Sequence, residues 1–372
     1  MAKKLYVEVG GKTRKAKKGY VSVNGKARKI KKAYVGVDGK ARAFWSGGEL
    51  RYYGTATALP YGGDTTRSTT IGKYALFFNT SCGTANSIYA YDTSLSRSYA
   101  PNLREKRKKM VGSATIGNFA FLAGGYTKGF QKNTYYKTVD AYDSSLTRLS
   151  AAELKSENDG TNGGAVSNYA LFIGSGTANA YDSNLTRMDA PSPSALRGGA
   201  DKTTIGNYVL YGGGATTKAL KRSALVEAYS STLTLSTVSS LSVARTGIAA
   251  TTVGNHALFA GGYGDNGRVT TVDVYDLSLT RSTAAALSKA RYMIGAATIG
   301  DYALLVGGHA ESERTALVEY YDSSLTRTTF TSLPQGGDSF AAASIGNYAL
   351  FSGGNTPTGG KNTTVYVYTI AN

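Results

Sequence analysis

The sequence predicts an all-β fold, and three observations predict it. Seven short apolar segments each run into a small-residue or double-glycine step: IGKYALFFN from Ile71, TIGNFAFLAGG from Thr115, VSNYALFIGS from Val166, TIGNYVLYGGG from Thr204, TVGNHALFAGG from Thr252, TIGDYALLVGG from Thr298 and SIGNYALFSGG from Ser344. Between Ile71, Ile116, Val166, Ile205, Val253, Ile299 and Ile345 the steps are 45, 50, 39, 48, 46 and 46 residues. A near-constant period of that size marks a repeat architecture. A second unit travels with the first, as YDTSLSR from Tyr91, YDSSLTR from Tyr142, YDSNLTR from Tyr181, the degenerate YSSTLTL from Tyr229, YDLSLTR from Tyr275 and YDSSLTR from Tyr321. Finally, no stretch holds a glycine-free i, i+3, i+4 apolar pattern long enough for a helix.

Each repeat reads as four short strands. One is apolar and ends at Ile-Gly-Asn, one is the Tyr-Ala-Leu-Phe segment, one ends at Tyr-Asp, and one follows the Leu-Thr-Arg step. The Ile-Gly-Asn and Asp-Ser-Ser joints have the Gly, Asn and Asp chemistry of tight hairpin turns. Four antiparallel strands repeated radially make a propeller blade, so the fold expected from about residue 49 onward is a seven-bladed β-propeller. The last repeat stops at Asn372 without a fourth strand, while YYGTATALP (Tyr52 to Pro60) has the shape of TRTTFTSLP (Thr326 to Pro334). A strand over 52–60 beside Thr364 to Tyr368 would complete the last blade and remove two exposed sheet edges.

The double glycines after the second strand, with a period near 46, resemble the kelch family of β-propellers over roughly residues 50 to 372. The third strand departs from that family, with Tyr-Asp then Leu where kelch repeats often carry Tyr and Trp.

The 372 residues are 41% hydrophobic and 18% charged, with 46 glycines, which describes a globular chain rather than a disordered one. No apolar run approaches the ~18 residues that span a bilayer, and no apolar signal core is present in the first 50 residues, so Sec export is not expected. Cys82 is the single cysteine, which rules out an internal disulfide and leaves the redox compartment open. The formal charge of +18 is uneven: residues 1 to 50 hold 14 Lys and Arg against three acids, and the remainder 28 against 21.

The basic part is itself a repeat. LYVEVGGKTRKAKKG from Leu5, YVSVNGKARKIKKA from Tyr20 and YVGVDGKARAFW from Tyr34 recur every 14 residues around Gly10-Gly11, Asn24-Gly25 and Asp38-Gly39. Such dipeptides favour type I′ turns, which need positive φ at both central residues, so residues 1–48 read as a basic β-hairpin module. Pairing outward from Asn24-Gly25 sets Val23 beside Lys26, Val21 beside Arg28 and Ser22 beside Ala27. No face is cleanly apolar, and an isolated hairpin is at best marginally stable. Three roles stay open: a solvated tail, a binder of polyanions such as nucleic acid through counterion release, or a docking module on a larger assembly. The tandem YVxVxGKARKxKK pattern is similar to the N-terminal segments of tail- and baseplate-associated proteins of phages, and phage-like particles, of Gram-positive bacteria. That resemblance implies a virion component made in the host cytoplasm, docked through residues such as Tyr6, Tyr20, Arg28, Tyr34, Arg42 and Trp45, with Trp45 to Gly48 as a hinge. The implied partners are other virion proteins and a host cell-wall glycan or surface protein; a purely structural decoration or assembly role is the alternative.

Catalytic signatures are missing from the sequence. No HExxH, GxSxG or phosphate-binding glycine loop is found, and GGYGDNGR (Gly261 to Arg268) lacks alternating acidic calcium ligands. Copper-radical oxidases on kelch propellers need two His and a Cys–Tyr link, whereas Cys82, His256 and His309 occupy different repeat positions. His256 replaces a strand tyrosine and is expected to pack. No enzyme, cofactor or metal is expected.

Loop lengths point to binding instead. The joints after strands one and three are nearly constant, while those after two and four vary and emerge together on one face, where loops carry recognition. That face holds Tyr126, Phe130, Tyr135, Tyr136, Tyr263, Asp265, Asn266, Arg268, His309 and Arg314, a mixture suited to sugar or protein contact. Eight residues before the first-strand anchors stand Lys108, Arg197, Arg245 and Arg291, against Gly63, Asn158 and Gly337 in the other repeats. With Arg104, Lys106, Arg107 and Lys109 they read as a basic axial mouth for an anionic glycopolymer, or as loop anchors. Arg97, Arg148, Arg187, Arg281 and Arg327 recur with the Tyr-Asp unit as structural turn partners.

Overall fold

The computed structural model describes residues 49–78, 86–107, 109, 111–157, 162–174, 176–195, 197–216 and 221–371, and the backbone of six strands between residues 6 and 46. Cys82, Lys108 and Asn158 lie outside the described residues, as do Gly10-Gly11, Asn24-Gly25, Asp38-Gly39 and Gly47-Gly48. The chain divides into two compact units, 1–51 with 369–372 and 52–368.

In the first unit, Tyr6–Val9 pairs with Lys12–Lys15, Tyr20–Val23 with Lys26–Lys29, and Lys32–Val37 with Lys40–Ser46. The middle pair has the register Val23 to Lys26, Ser22 to Ala27 and Val21 to Arg28.

The described residues form seven antiparallel four-stranded sheets, I to VII in chain order. Their first strands are Arg67–Ile71, Gly112–Ile116, Asn162–Val166, Asp201–Ile205, Ala249–Val253, Gly295–Ile299 and Ala341–Ile345. Second strands, such as Tyr74–Phe78 and His256–Ala260, carry the Tyr-Ala-Leu-Phe segments; third strands, such as Val139–Asp143 and Val272–Tyr275, end at the Tyr-Asp unit. Sheet VII takes its fourth strand from Glu49–Ala56, which lies beside Val365–Ala371. The strand therefore starts and ends earlier than the 52–60 expected, and Leu59 N–H then donates to Thr363 O at 2.8 Å. First strands of successive sheets pack on one another, and Ala341–Ile345 returns to Arg67–Ile71. This arrangement is consistent with a β-propeller.

Local chemistry explains the strands' ends. In the first joint Gly72, Gly117, Gly206, Gly254, Gly300 and Gly346 have φ between 49° and 57° while the following residue does not, the glycine-first pattern of a type II′ turn. In the Tyr-Asp joint the acid caps its own turn: Asp276 Oδ1 accepts Ser278 N–H and Thr280 N–H, both at 2.9 Å. This capping offsets the cost of a left-handed leucine, Leu279 at φ 62°, whose side chain packs against the core between sheets IV and V. Leu95, Leu146, Leu185, Leu233 and Leu325 repeat the conformation.

The apolar core lies between sheets, as in the cluster of Leu76, Phe78 and Ile88 from sheet I with Ala120, Leu122 and Tyr142 from sheet II. Two polar devices join neighbouring sheets across it. The tyrosines of the Tyr-Asp units, Tyr181 excepted, reach back to the segment after the preceding fourth strand, as Tyr142 Oη donates to Pro101 O (2.8 Å) and Tyr275 Oη to Ser239 O (2.6 Å). Burial pushes these phenols up, Tyr91 to about 12. Near the far end of the first strands, hydroxyls donate to the previous sheet: Thr115 to Thr70 O, Thr204 to Ala165 O, Thr252 to Thr204 O and Ser344 to Thr298 O. Where sheets II and III meet most closely, a Cβ on Gly163 would stand 2.2 Å from Ser113 O, so only glycine fits.

Candidate functional site

The loops after second and fourth strands are tied together at one end of the sheets. Arg245–Thr246 pairs with Tyr263–Gly264, which pairs with Gly267–Arg268; Arg197–Gly198 pairs with Ala215–Thr216, and Tyr292 bridges His309. The residue after the double glycine is thus a rim position, filled by Tyr126, Ala215, Tyr263, His309 and Asn355.

The arginines expected to form a basic mouth do something else. Arg197, Arg245 and Arg291 are buried to 1% exposure or less. Each pairs with an acid on the third strand of its own sheet: Arg197 with Glu227 (2.6 Å), Arg245 with Asp273 (2.8 Å) and Arg291 with Glu319 (2.7 Å). They also cap carbonyls, as Arg245 does at Phe259 O (3.0 Å). In sheet II the equivalent side chain is Arg107, buried against Asp140, with Arg104 on the other carboxylate oxygen. These guanidiniums are loop anchors and cannot face an external polymer, because burial is tolerated only with a paired charge. The signal was in the third strand, where VDAY, VEAY, VDVY and VEYY carry acids and the sheets without a buried anchoring arginine have IYAY, ANAY and VYVY. Arg281 and Arg327 add second contacts to Asp273 and Glu319, while Arg148 donates to Asn102 O. Burial alone would raise the Glu319 carboxyl, but Arg291, the Ser288 N–H and Arg327 outweigh it and hold it below the usual range.

Inside this anchored ring lies a cavity of about 670 Å³ along the first strands. A collar of backbone bonds runs round part of its mouth: Ser339 N–H to Met293 O (2.8 Å), Met293 N–H to Gly247 O (3.0 Å) and Gly247 N–H to Gly199 O (2.9 Å). Met293 and Ser339 hold φ of 55° and 59° there, a strained choice for side-chain-bearing residues. Tyr126 and Tyr135 stand on the wall as a cross-strand pair with ring centroids 5.3 Å apart.

A belt of aromatic and cationic groups follows the rim outside the cavity. Tyr263 and Tyr292 meet at 67° and 5.5 Å, and Tyr292 stacks on His309 at 5.3 Å and 19°. Arg268 lies over both tyrosines, at 5.7 and 5.4 Å, and its Nε donates to His309 O at 3.2 Å. Arg222 covers Tyr263 and pairs with Asp265; Arg314 pairs with buried Asp338 at 2.8 Å. Partial burial, then Arg268 and Arg314, lower the His309 pKa against the pull of Asp338, so the ring is neutral at neutral pH.

The structure therefore gathers Tyr263, Arg268, His309 and Arg314 in one belt and sets Tyr126 and Tyr135 at the cavity. Asp265 and Asn266 are exposed at a hairpin turn, Phe130 is fully exposed, and Tyr136 is half-buried with its N–H on Gly125 O. Arg222, Tyr292 and Asp338 were not singled out from sequence. The side chains of Tyr6, Tyr20, Arg28, Tyr34, Arg42 and Trp45 lie outside the described residues. His256 is half-buried in its strand, with Nδ1 lacking a hydrogen-bond partner among the described residues. Among those residues no group of three or more His, Cys, Asp or Glu is placed to hold a metal, and no helix is long and apolar enough to cross a membrane.

No protein-family model matches the chain, and no curated protein matches it. Among solved structures it is similar to one titled "Structure of YjhT", with a TM-score of 0.57 and 13% identity, over 85% of this chain and 99% of that one. At that identity the likeness concerns the fold alone.

Proposed function

We propose that residues 49–372 are a seven-bladed, kelch-like β-propeller and residues 1–48 a basic anchoring module. Together they make a non-enzymatic, tail- or baseplate-associated virion protein of a phage or phage-like particle of Gram-positive bacteria. The hairpins dock on other virion proteins, and the propeller is displayed to bind a host-surface glycan or protein.

The observation that carries the binding part is the difference between the two ends of the sheets. One end has constant, self-capped turns behind a ring of Thr and Ser hydroxyls. The other gathers the cavity, the Tyr126–Tyr135 pair and the Arg268 belt. Aromatic rings alternating with arginines in partly desolvated positions are the composition of recognition surfaces. The docking part rests on the resemblance of the tandem basic hairpins and on the charge of residues 1 to 50.

The test separates the two parts. Deleting residues 1–45 should abolish incorporation into particles; a truncated chain that still incorporates refutes docking. Full-length protein should adsorb to host cells, and Tyr135→Ala with Arg268→Ala should weaken adsorption without lowering Tm. Absent adsorption, with the loop-bearing end packed on other subunits, would leave a purely structural virion role. Strong salt-dependent DNA affinity confined to residues 1–48 would instead make the module a polyanion binder.

A further inference from the structure

Of the two arginines that line the cavity, one is not used by the anchoring network, and Lys202 in the same lining lies 3.7 Å from the Asp201 carboxylate. Arg67 opens the first strand of sheet I and lines the cavity with an exposed side chain. Its one hydrogen bond among the described residues goes from Nη1 to the adjacent Thr66 O, at 3.2 Å. Among the described residues no carboxylate lies within salt-bridge distance of it, unlike the buried, paired Arg197 that shares the lining. The nearby acids are engaged elsewhere. Asp201 accepts the Lys202 and Ala250 N–H groups, both at 2.9 Å, and Asp64 pairs with Lys361 at 3.2 Å. The surrounding walls disfavour the charged form of Arg67, lowering its pKa, while Asp201 and Asp64 act in the opposite sense. A guanidinium in that position gains from any anion that enters.

The rest of the lining narrows the ligand. Ser68, Ser113, Asn162 and Ser339 offer small polar groups, the Tyr126–Tyr135 pair offers ring faces, and Met293 adds an apolar contact at the mouth. A volume near 670 Å³ falls in the range of small-molecule sites. We propose that this cavity binds a sugar or polyol unit bearing one anionic group, with Arg67 as the carboxylate- or phosphate-binding residue and the tyrosine pair against the carbon skeleton. A planar fork of donors suits either anion. The inference deepens the surface-binding reading by naming a ligand class, and it places the contact in the cavity rather than on the outer belt.

Titration calorimetry on the full-length chain tests it with glucuronate, glycerol 3-phosphate and glucose as probes. At least one of the two anions should bind, glucose should bind far more weakly, and which anion wins identifies a uronic-acid or a polyol-phosphate source. Arg67→Ala should weaken the anion roughly tenfold or more, Arg67→Lys should restore part of the affinity, and Lys73→Ala, at the opposite end of the first strand, should change nothing. Unchanged affinity in Arg67→Ala, or no binding of either anion at tens of millimolar, overturns the proposal. Adsorption to host cells is read separately. Anion binding by a protein that does not adsorb upholds the cavity and refutes adhesion, whereas adsorption without anion binding does the reverse.

Discussion

Arg245 and Arg67 belong to the same end of the molecule, yet their surroundings give the same side chain opposite roles. Arg245 is buried, paired with Asp273 and bonded to carbonyls that its own sheet leaves over. Arg67 lines the cavity with an exposed side chain, one carbonyl contact and no paired acid among the described residues. The difference teaches where stability and binding divide. Charge removed from water must be matched within the fold, so the buried arginines hold loops in place, and only an unmatched cation is left to attract a ligand.

Breaking a buried pair should have the largest effect. Arg245→Ala leaves Asp273 without its main partner and should cost about 3–5 kcal/mol, read as a fall in the denaturation midpoint. Replacing both partners with apolar residues, Arg245→Met with Asp273→Leu, should recover most of that loss. A double variant as unstable as the single one would mean that the pair's hydrogen bonds to the loops, rather than its charge balance, set the stability.

Hydroxyl deletion gives a smaller and internally controlled effect. Tyr275→Phe loses the bond to Ser239 O and should cost about 0.5–1.5 kcal/mol. Tyr181 occupies the same repeat position, but its hydroxyl is buried without a partner among the described residues. Tyr181→Phe should therefore be neutral or stabilising, and equal costs in chemical denaturation would show that the inter-sheet bond contributes nothing.

The acid side of the comparison responds to pH. Glu319 binds protons less readily in the folded chain than in the unfolded one, so its contribution is complete above the ordinary carboxylate range. It is lost as pH falls from there through the lowered folded value. Glu319→Gln should flatten that part of the stability–pH curve; a curve unchanged in slope would assign acid sensitivity to other carboxylates. The smallest effect belongs to Arg67→Ala, whose stability should lie within about 0.5 kcal/mol of the parent. A loss comparable to Arg245→Ala would make Arg67 another anchor and remove the contrast.

Much of the architecture was legible in the chain because its signals are local. Seven Gly- or Ser-centred joints after the first strands and six recurring tyrosine-led units, five of them Tyr-Asp, mark strand ends by turn chemistry that depends on a few consecutive residues, and alternate apolar positions then face the neighbouring sheets. The rim was partly legible as well, since Tyr126, Tyr263 and His309 each follow a double glycine. The fate of each arginine was not. Arg197 and Glu227 are 30 residues apart, Arg291 and Glu319 28, and only the return of the third strand beside the second brings each acid under its loop. Arg67 carried no motif at all, because its position in the cavity depends on the first strands of all the sheets meeting around it. Sequence by itself determined the strands, their turns and their repetition, through short-range conformational preference. Tertiary structure alone decided which charges are matched and which remain open to a ligand, because pairing and desolvation depend on distances that repeat spacing does not encode.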